Sequence, residues 1–341
     1  MGLVDLFIAS TIPVLKVLLV TGLGSYLAFD HVGILGDDAR KHLNNITFFV
    51  FSPALVYSNL AKTITYDSMA KLWFMPLNIL ITFIVGSVLG WVVIQITRAP
   101  SHLRGLIIGC CAAGNLGNLL LIIIPAVCKE KGSPFGDPDV CQTYGMSYAS
   151  LSMAIGAIYL WSYVYNIVRV SSSSRSKDVE IINDSYIAGF VVGLVPLIRK
   201  LIIGDEAPLR VLQDTALLLG DGAIPAVTLV MGGNLLKGLK GGSEIRKSII
   251  FGIVFVRYVA MPLIGIVIVQ GAIRFGIVHD NPLYQFVLLL QFALPPAMNI
   301  GTITQLFGAG ESECSVIMLW CYLLASVALT VWSTLFLWLV S

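Results

Sequence analysis

The chain has 341 residues, 57% hydrophobic and only 12% charged, and its 21 Lys and Arg against 19 Asp and Glu leave a net charge of +2. A soluble domain carries about 25% charged residues, so a water-soluble globule is excluded. With no block of basic residues, a nucleic-acid partner is not expected.

Apolar runs of roughly 18 or more residues recur along the chain, each long enough to cross a bilayer. Ten spans are predicted, over about 7–29, 43–61, 72–96, 103–127, 145–169, 185–203, 213–236, 248–270, 283–307 and 314–339. The first is read as retained, because Met1 to Ser10 carries Asp5 and no basic residue and so lacks a leader's n-region. Span 2 holds Phe51-Ser52-Pro53-Ala54-Leu55, and span 7 answers with Ala223-Ile224-Pro225-Ala226-Val227. Gly86 and Gly90 in span 3 mark a close-packing face. Spans 5 and 10 are both rich in Tyr and Trp. Between spans 4 and 5, Cys128 and Cys141 share a polar loop. They are either a disulfide, if that loop faces an oxidising lumen, or two unpaired thiols. Cys110, Cys111, Cys314 and Cys321 read as small core hydrophobes. The histidines show no ligand spacing, so neither a metal site nor a cofactor is expected.

The Ser-rich stretch 171–184 reads as a linker between residues 1–170 and 185–341. Each half then holds five spans. Five is odd, so the second half must lie inverted relative to the first. The fold class is an all-α membrane protein of ten transmembrane helices in two inverted five-helix repeats. Such repeats place a substrate near the midplane. Loop Lys and Arg residues number eleven on the linker side and eight on the other. The excess places the linker in the cytosol and both termini outside it.

The fourth span of each half is broken. One reads Gly-Cys-Cys-Ala-Ala-Gly-Asn-Leu-Gly-Asn over 109–118, with Pro125 beyond; the other reads Gln-Phe-Ala-Leu-Pro-Pro-Ala-Met-Asn-Ile-Gly over 291–301. Unwound backbone in a membrane is tolerated only where protein buries it or a cavity needs it. Matched interrupted helices point to a transporter's binding site. If both break near mid-depth they cross there. Each half-helix starting at a break presents free N–H groups and a positive dipole end, which hold a carboxylate without a formal cation. Asn115, Asn118 and Asn299 add amide donors. The plain alternative is a pair of structural kinks. Pro53 and Pro225 read as ordinary kinks. Intramembrane charges are few and are functional suspects by default, among them Lys16, Asp221 and Arg257 deep in their spans or beside a glycine. Lys16 and Arg257 have a structural or snorkelling alternative, and Asp221 is either a proton-coupling carboxylate or structural. No nucleophile–base set is visible, so an enzyme is not expected.

The chain resembles the PIN-LIKES proteins of plants, relatives of the PIN auxin carriers in the auxin efflux carrier family, over nearly its whole length. The marks are Asn115-Leu116-Gly117-Asn118 with Pro125 seven residues on, and Gln291-Phe292-Ala293-Leu294-Pro295-Pro296. PIN carriers have Pro-Asn followed by a Pro seven residues later. Asn118 therefore matches their substrate-contacting Asn, and Gly117 stands where they have Pro. Their ninth helix has Leu-Pro-Gln-Gly-Ile-Val-Pro. Leu294 and Pro295 match its start, Pro296 replaces its Gln, and Asn299 falls at or beside its later Val. The resemblance implies crossing helices 4 and 9, a scaffold and a moving transport part, an auxin such as indole-3-acetate as the organic-anion partner, and the endoplasmic reticulum membrane. On that reading Asn115 and Asn118 bind the carboxylate, and Leu294 and Met298 face the ring. A dicarboxylate or other organic-anion carrier, or a membrane receptor that does not transport, are the alternatives. A homodimer is the assembly to test.

Overall fold

A computed structural model describes residues 3–63, 72–129, 133–172, 201–202, 207–240, 245–278, 281–308 and 310–340. The linker beyond Ser172, and the sixth predicted span up to Lys200, lie outside the described residues. Among the described residues the chain is helical, with no strand beyond one isolated bridge. In order the helices are α1 (Leu3–Leu27), α2 (Asp37–Ile46), α3 (Ser52–Thr63), α4 (Phe74–Thr97), α5 (Arg104–Ala112) and α6 (Asn118–Lys129). Then come α7 (Pro138–Tyr159), α8 (Tyr165–Ser171), α9 (Arg210–Asp221), α10 (Ala223–Lys240), α11 (Lys247–Phe255) and α12 (Met261–Arg274). The last are α13 (Pro282–Leu290), α14 (Asn299–Phe307) and α15 (Glu311–Val340).

Among the described residues, five continuous helices are long and apolar enough to cross a membrane: Phe74–Thr97, Pro138–Ser171, Arg210–Leu236, Lys247–Arg274 and Glu311–Val340. Their outward faces carry apolar stripes at helical spacing. On α1 the stripe is Leu15, Leu19 and Leu23, each about half exposed; on α11 and α12 it is Phe251, Phe255, Val259, Leu263 and Val267. In water such stripes would cost free energy, and lipid removes that cost.

The inward faces pack through small residues, which let helix backbones approach closely. A Cβ on Gly24 of α1 would lie 2.9 Å from the Leu229 Cα, and the Ser25 hydroxyl donates to the Gly232 carbonyl at 2.7 Å. Gly86 and Gly90 seat α4 on α5: a Cβ on Gly86 would lie 2.6 Å from the Ala112 Cα, and one on Gly90 3.1 Å from the Cys111 Cβ. Asn281 and Asp137 cap α13 and α7 through side-chain oxygens, each followed by Pro at the first helical position, where its missing N–H costs nothing.

Among the described residues, three π-bulges, at Thr47–Phe51, Leu160–Val164 and Val256–Ala260, interrupt otherwise continuous helices. Each adds one residue to a turn and rotates the side chains beyond it. The first two bring Phe48 against Trp161, ring centroids 5.5 Å apart. The third turns Arg257 inward. Residues Leu283–Leu290 of α13, apolar but for Gln285 and the Tyr284 hydroxyl, are buried on every side, as befits a helix at the centre of a bundle.

Candidate functional site at the paired helix breaks

The two broken helices meet at their breaks. Ala113–Gly117 separates α5 from α6, and Gln291–Met298 separates α13 from α14. The unwound strands lie antiparallel, with Gly114 paired to Pro296. The Asn115 N–H donates to the Pro295 carbonyl at 2.8 Å, and the Ala297 N–H donates to the Ala113 carbonyl at 2.9 Å. Each break thus answers the backbone groups the other frees, which low-dielectric surroundings demand.

Side chains from four other helices complete the accounting. The Tyr322 hydroxyl of α15 accepts from Asn115 Nδ2 at 2.7 Å and donates to the Pro296 carbonyl at 3.0 Å. Asn78 of α4 donates to the Leu288 carbonyl at 3.1 Å and to Gln291 Oε1 at 2.8 Å; Gln291 Nε2 donates to the Ser152 hydroxyl of α7 at 2.7 Å. Arg257, fully buried on its π-bulge, donates to the carbonyls of Cys111 at 3.1 Å, Pro295 at 3.3 Å and, most closely, Leu294.

One side of this crossing opens on a cavity of about 80 Å³. A water needs roughly 10–15 Å³ on this measure, so about five to eight water-sized groups fit. Asn115, Asn299 and Ser52 supply its polar lining; Leu55, Leu116, Met153, Trp161, Val227 and Met298 supply apolar walls. Among the described residues, no charged side chain lines it. Helix α14 begins at this wall with no side-chain cap; the Ile300 and Gly301 N–H groups turn back to the Ala297 and Met298 carbonyls at 3.2 and 3.0 Å, which leaves the start of the turn at Asn299 and the helix's positive end toward an occupant. Gly117 and Gly156 make room. A Cβ on Gly117 would lie 3.0 Å from the Met153 sulfur, and one on Gly156 would lie 2.6 Å from Leu116 Cδ1. Uncharged donors opposite an aromatic and aliphatic wall suit a small amphipathic anion.

Of the residues singled out from sequence, Asn115, Gly117, Met298 and Asn299 line the cavity. Leu294, Pro295 and Pro296 do not. The bridge turns their carbonyls to Arg257, Asn115 and Tyr322, and the Leu294 side chain is fully buried beside Gly114. Leu294 is therefore no ring-facing wall of this cavity. Asn118 is the first residue of α6; its side chain lies outside the described set. Lys16 is exposed on α1 and Asp221 is exposed at the end of α9, both away from the lining. Cys128 and Cys141 are disulfide-bonded, Cα atoms 5.6 Å apart, stapling α6 to the first turn of α7. The lining contributed by Met153, Gly156 and Trp161 was missed from sequence. Ser52 and Ile224 belong to the matched proline motifs of spans 2 and 7, which was their signal; Tyr322 had none beyond an aromatic-rich span.

A bundle whose centre is two broken helices bonded break to break, beside an uncharged amphipathic cavity, defines a membrane solute-handling protein. Comparison with known proteins agrees. The chain matches the membrane transport protein family over residues 9–185 and 180–333. It is 58% identical to Protein PIN-LIKES 1 of Arabidopsis thaliana, covering all of this chain and 81% of that protein. It is 55% identical to Protein PIN-LIKES 3 of the same plant, covering 99% of each, and 48% identical to Protein PIN-LIKES 4 over the full length of both. The chain belongs to the PIN-LIKES branch of the membrane transport proteins.

Proposed function

We propose that this chain carries an auxin, a monocarboxylate of the indole-3-acetate kind, between the cytosol and the lumen of the endoplasmic reticulum. The observation that carries this reading is the uncharged cavity with amide and helix-end donors on one wall and Trp161, Met153 and Met298 on another. A single carboxylate meets donors there and a ring meets apolar surface. A dicarboxylate would bring a second charge to a lining without a cation, which disfavours the dicarboxylate alternative.

The architecture that goes with it is ten spans in two inverted five-helix repeats, 1–170 and 185–341, joined by a cytosolic linker over 171–184. Both termini and the Cys128–Cys141 loop are then lumenal. Transport is by elevator-type alternating access, the crossing helices moving with the transport part. Asn115 and Asn118 hold the carboxylate; Asp221 and Lys16 are the charges to test for coupling, and a homodimer is the assembly to test. No cofactor is involved.

Uptake of labelled indole-3-acetate into proteoliposomes tests the reading. Saturable uptake that unlabelled indole-3-acetate abolishes and malate does not is the expected result. Binding without uptake would make the protein a receptor, and competition by malate would make it a dicarboxylate carrier. Asn118→Ala should weaken binding by about 1–3 kcal/mol, the cost of leaving a charged acceptor short of a donor.

A further inference from the structure

A crossing of two broken helices has no net preference for either sign of charge. It offers two positive ends, where α6 and α14 begin, and two negative ends, where α5 and α13 stop. All four lie around the same point, so a cavity there feels partial charges of both signs. Something must cancel one pair before the site can select.

Arg257 sits where it does this. Its guanidinium is 0% exposed, and among the described residues it has no acidic partner. Its acceptors are main-chain carbonyls: Cys111 in the last turn of α5, and Leu294 and Pro295 in the unwound segment after α13. A buried cation without a carboxylate is costly unless other negative groups receive it, and the carbonyl end of α5 and the unwound carbonyls after α13 do. Gly114 permits the approach, since a Cβ there would lie 2.6 Å from the Arg257 Nη2. Gly114 also lines the cavity. The guanidinium is thus separated from the occupant by one glycine. Its own Nε is buried without a partner, so even its donors are not matched for packing alone.

We infer that Arg257 is the positioning residue that gives this crossing its sign, neutralising the carbonyl end of α5 and the unwound carbonyls after α13 so that the cavity selects an anion without a bound metal cation. The carbonyls that would otherwise receive a cation are already occupied by the guanidinium. The inference rests on the carboxylate reading of the cavity, and its test separates the two.

The test compares indole-3-acetate with indole-3-acetamide, nearly the same shape without the charge, by competition binding to the purified full-length protein. The wild type should prefer the acid by about tenfold or more, equivalent to 1.4 kcal/mol. Arg257→Gln should bring the preference to within about threefold, and Arg257→Lys should retain most of it while lowering thermal stability. A merely structural role predicts equal weakening of both ligands and an unchanged ratio, and that result would overturn the inference. A wild type that binds neither compound sinks the carboxylate reading instead. Should Arg257→Gln fail to fold, two measurements still decide. Acid binding by the wild type should be unchanged when sodium and potassium are replaced by choline; a cation requirement would show that the carbonyl ends are not neutralised. Arg257→Lys losing the acid preference while folded would count equally against it.

Discussion

Tyr322→Phe removes one oxygen from the centre of the crossing and leaves the ring in place, since Tyr322 is 1% exposed and its packing is unchanged. Two partners lose their bond, and they are not equivalent. Asn115 lines the cavity, so a water there takes over the amide hydrogen that Tyr322 accepted at 2.7 Å. Pro296 is buried and does not line the cavity, so its carbonyl, 3.0 Å from the hydroxyl, stays unpaired. An orphaned buried acceptor costs about 1–3 kcal/mol in soluble proteins. Hydrogen bonds between membrane helices average about 0.6 kcal/mol and reach about 1.7 in double-mutant cycles, because the unfolded chain in the membrane also finds partners. The two scales overlap between about 1 and 1.7 kcal/mol, and the expected loss is about 1.5 kcal/mol, mostly from Pro296. The coupling between Tyr322→Phe and Asn115→Ala should be smaller, about 0.6 kcal/mol, because water replaces that half of the bond. Reversible denaturant unfolding of the wild type, both single variants and the double variant in bicelles measures both numbers. Tyr322→Phe within about 0.3 kcal/mol of wild type, the limit of additivity between unrelated sites, would refute the assignment of Tyr322 as the tie across the break.

Gly86→Ala should destabilise by about 1–3 kcal/mol, because its Cβ meets the backbone of Cys111 and Ala112, which cannot turn aside; Gly271→Ala, with open space around it, is the neutral control in the same thermal melts. Breaking the Cys128–Cys141 bridge by Ser substitution should cost on the order of 3 kcal/mol in the chain-entropy model for a 13-residue separation. Unreduced peptide mapping of protein folded in the reticulum should find the pair joined, and two free thiols would refute it. Asp221→Asn should leave both exchange and pH-driven uptake of indole-3-acetate at wild-type levels, since the residue lies exposed at the end of α9 and outside the cavity lining. Loss of gradient-driven accumulation with exchange retained would assign the carboxylate to proton coupling.

The long helices were legible because apolar runs bounded by charge leave few choices. Spans expected at 72–96, 248–270 and 314–339 are Phe74–Thr97, Lys247–Arg274 and Glu311–Val340. The fifth begins at Pro138 rather than near 145 because Asp137-Pro138 is a cap and first-turn signal, which hydropathy alone does not register. The breaks themselves were legible in Gly114, Asn115, Gly117 and Pro295-Pro296. Their partners were not. Backbone-to-backbone bonds such as Ala297 to Ala113 carry no residue signature. Arg257 invited a search for an acid, and its acceptors are carbonyls, which every residue possesses. The π-bulges were invisible for a related reason. One extra residue in a turn leaves the apolar content of a span unchanged while altering which side chain faces in.

The bonds around the crossing are unevenly distributed, and the unevenness bears on how it could move. Toward α4, α7, α11, α12 and α15 the breaks are held by Asn78, Ser152, Arg257 and Tyr322, with side-chain bonds of 2.7–3.3 Å at fully buried positions. Toward α2 and α10 the side-chain ties are no shorter than 3.3 Å. Asn44 Nδ2 donates to the Thr302 carbonyl at 3.3 Å, and the Thr228 hydroxyl reaches the Met298 sulfur at 3.7 Å, a poor acceptor. Buried polar atoms without a partner among the described residues occur on both sides, Asn44 Oδ1, Asn234 Oδ1, Thr302 Oγ1 and Gln305 Oε1 here and Asn78 Oδ1, Arg257 Nε and Ser333 Oγ opposite, so they do not separate the two boundaries; the hydrogen bonds do. A body that slides breaks bonds only along its seam. The weakly tied boundary against α2 and α10, with the cavity set into it between Ser52, Ile224 and Asn299, is the surface along which the least bonding would be lost. The elevator-type motion proposed above would need a boundary of this kind, and the opposite side, where Arg257 and Tyr322 pair the carbonyls of Cys111, Leu294, Pro295 and Pro296, would then stay together as it moved.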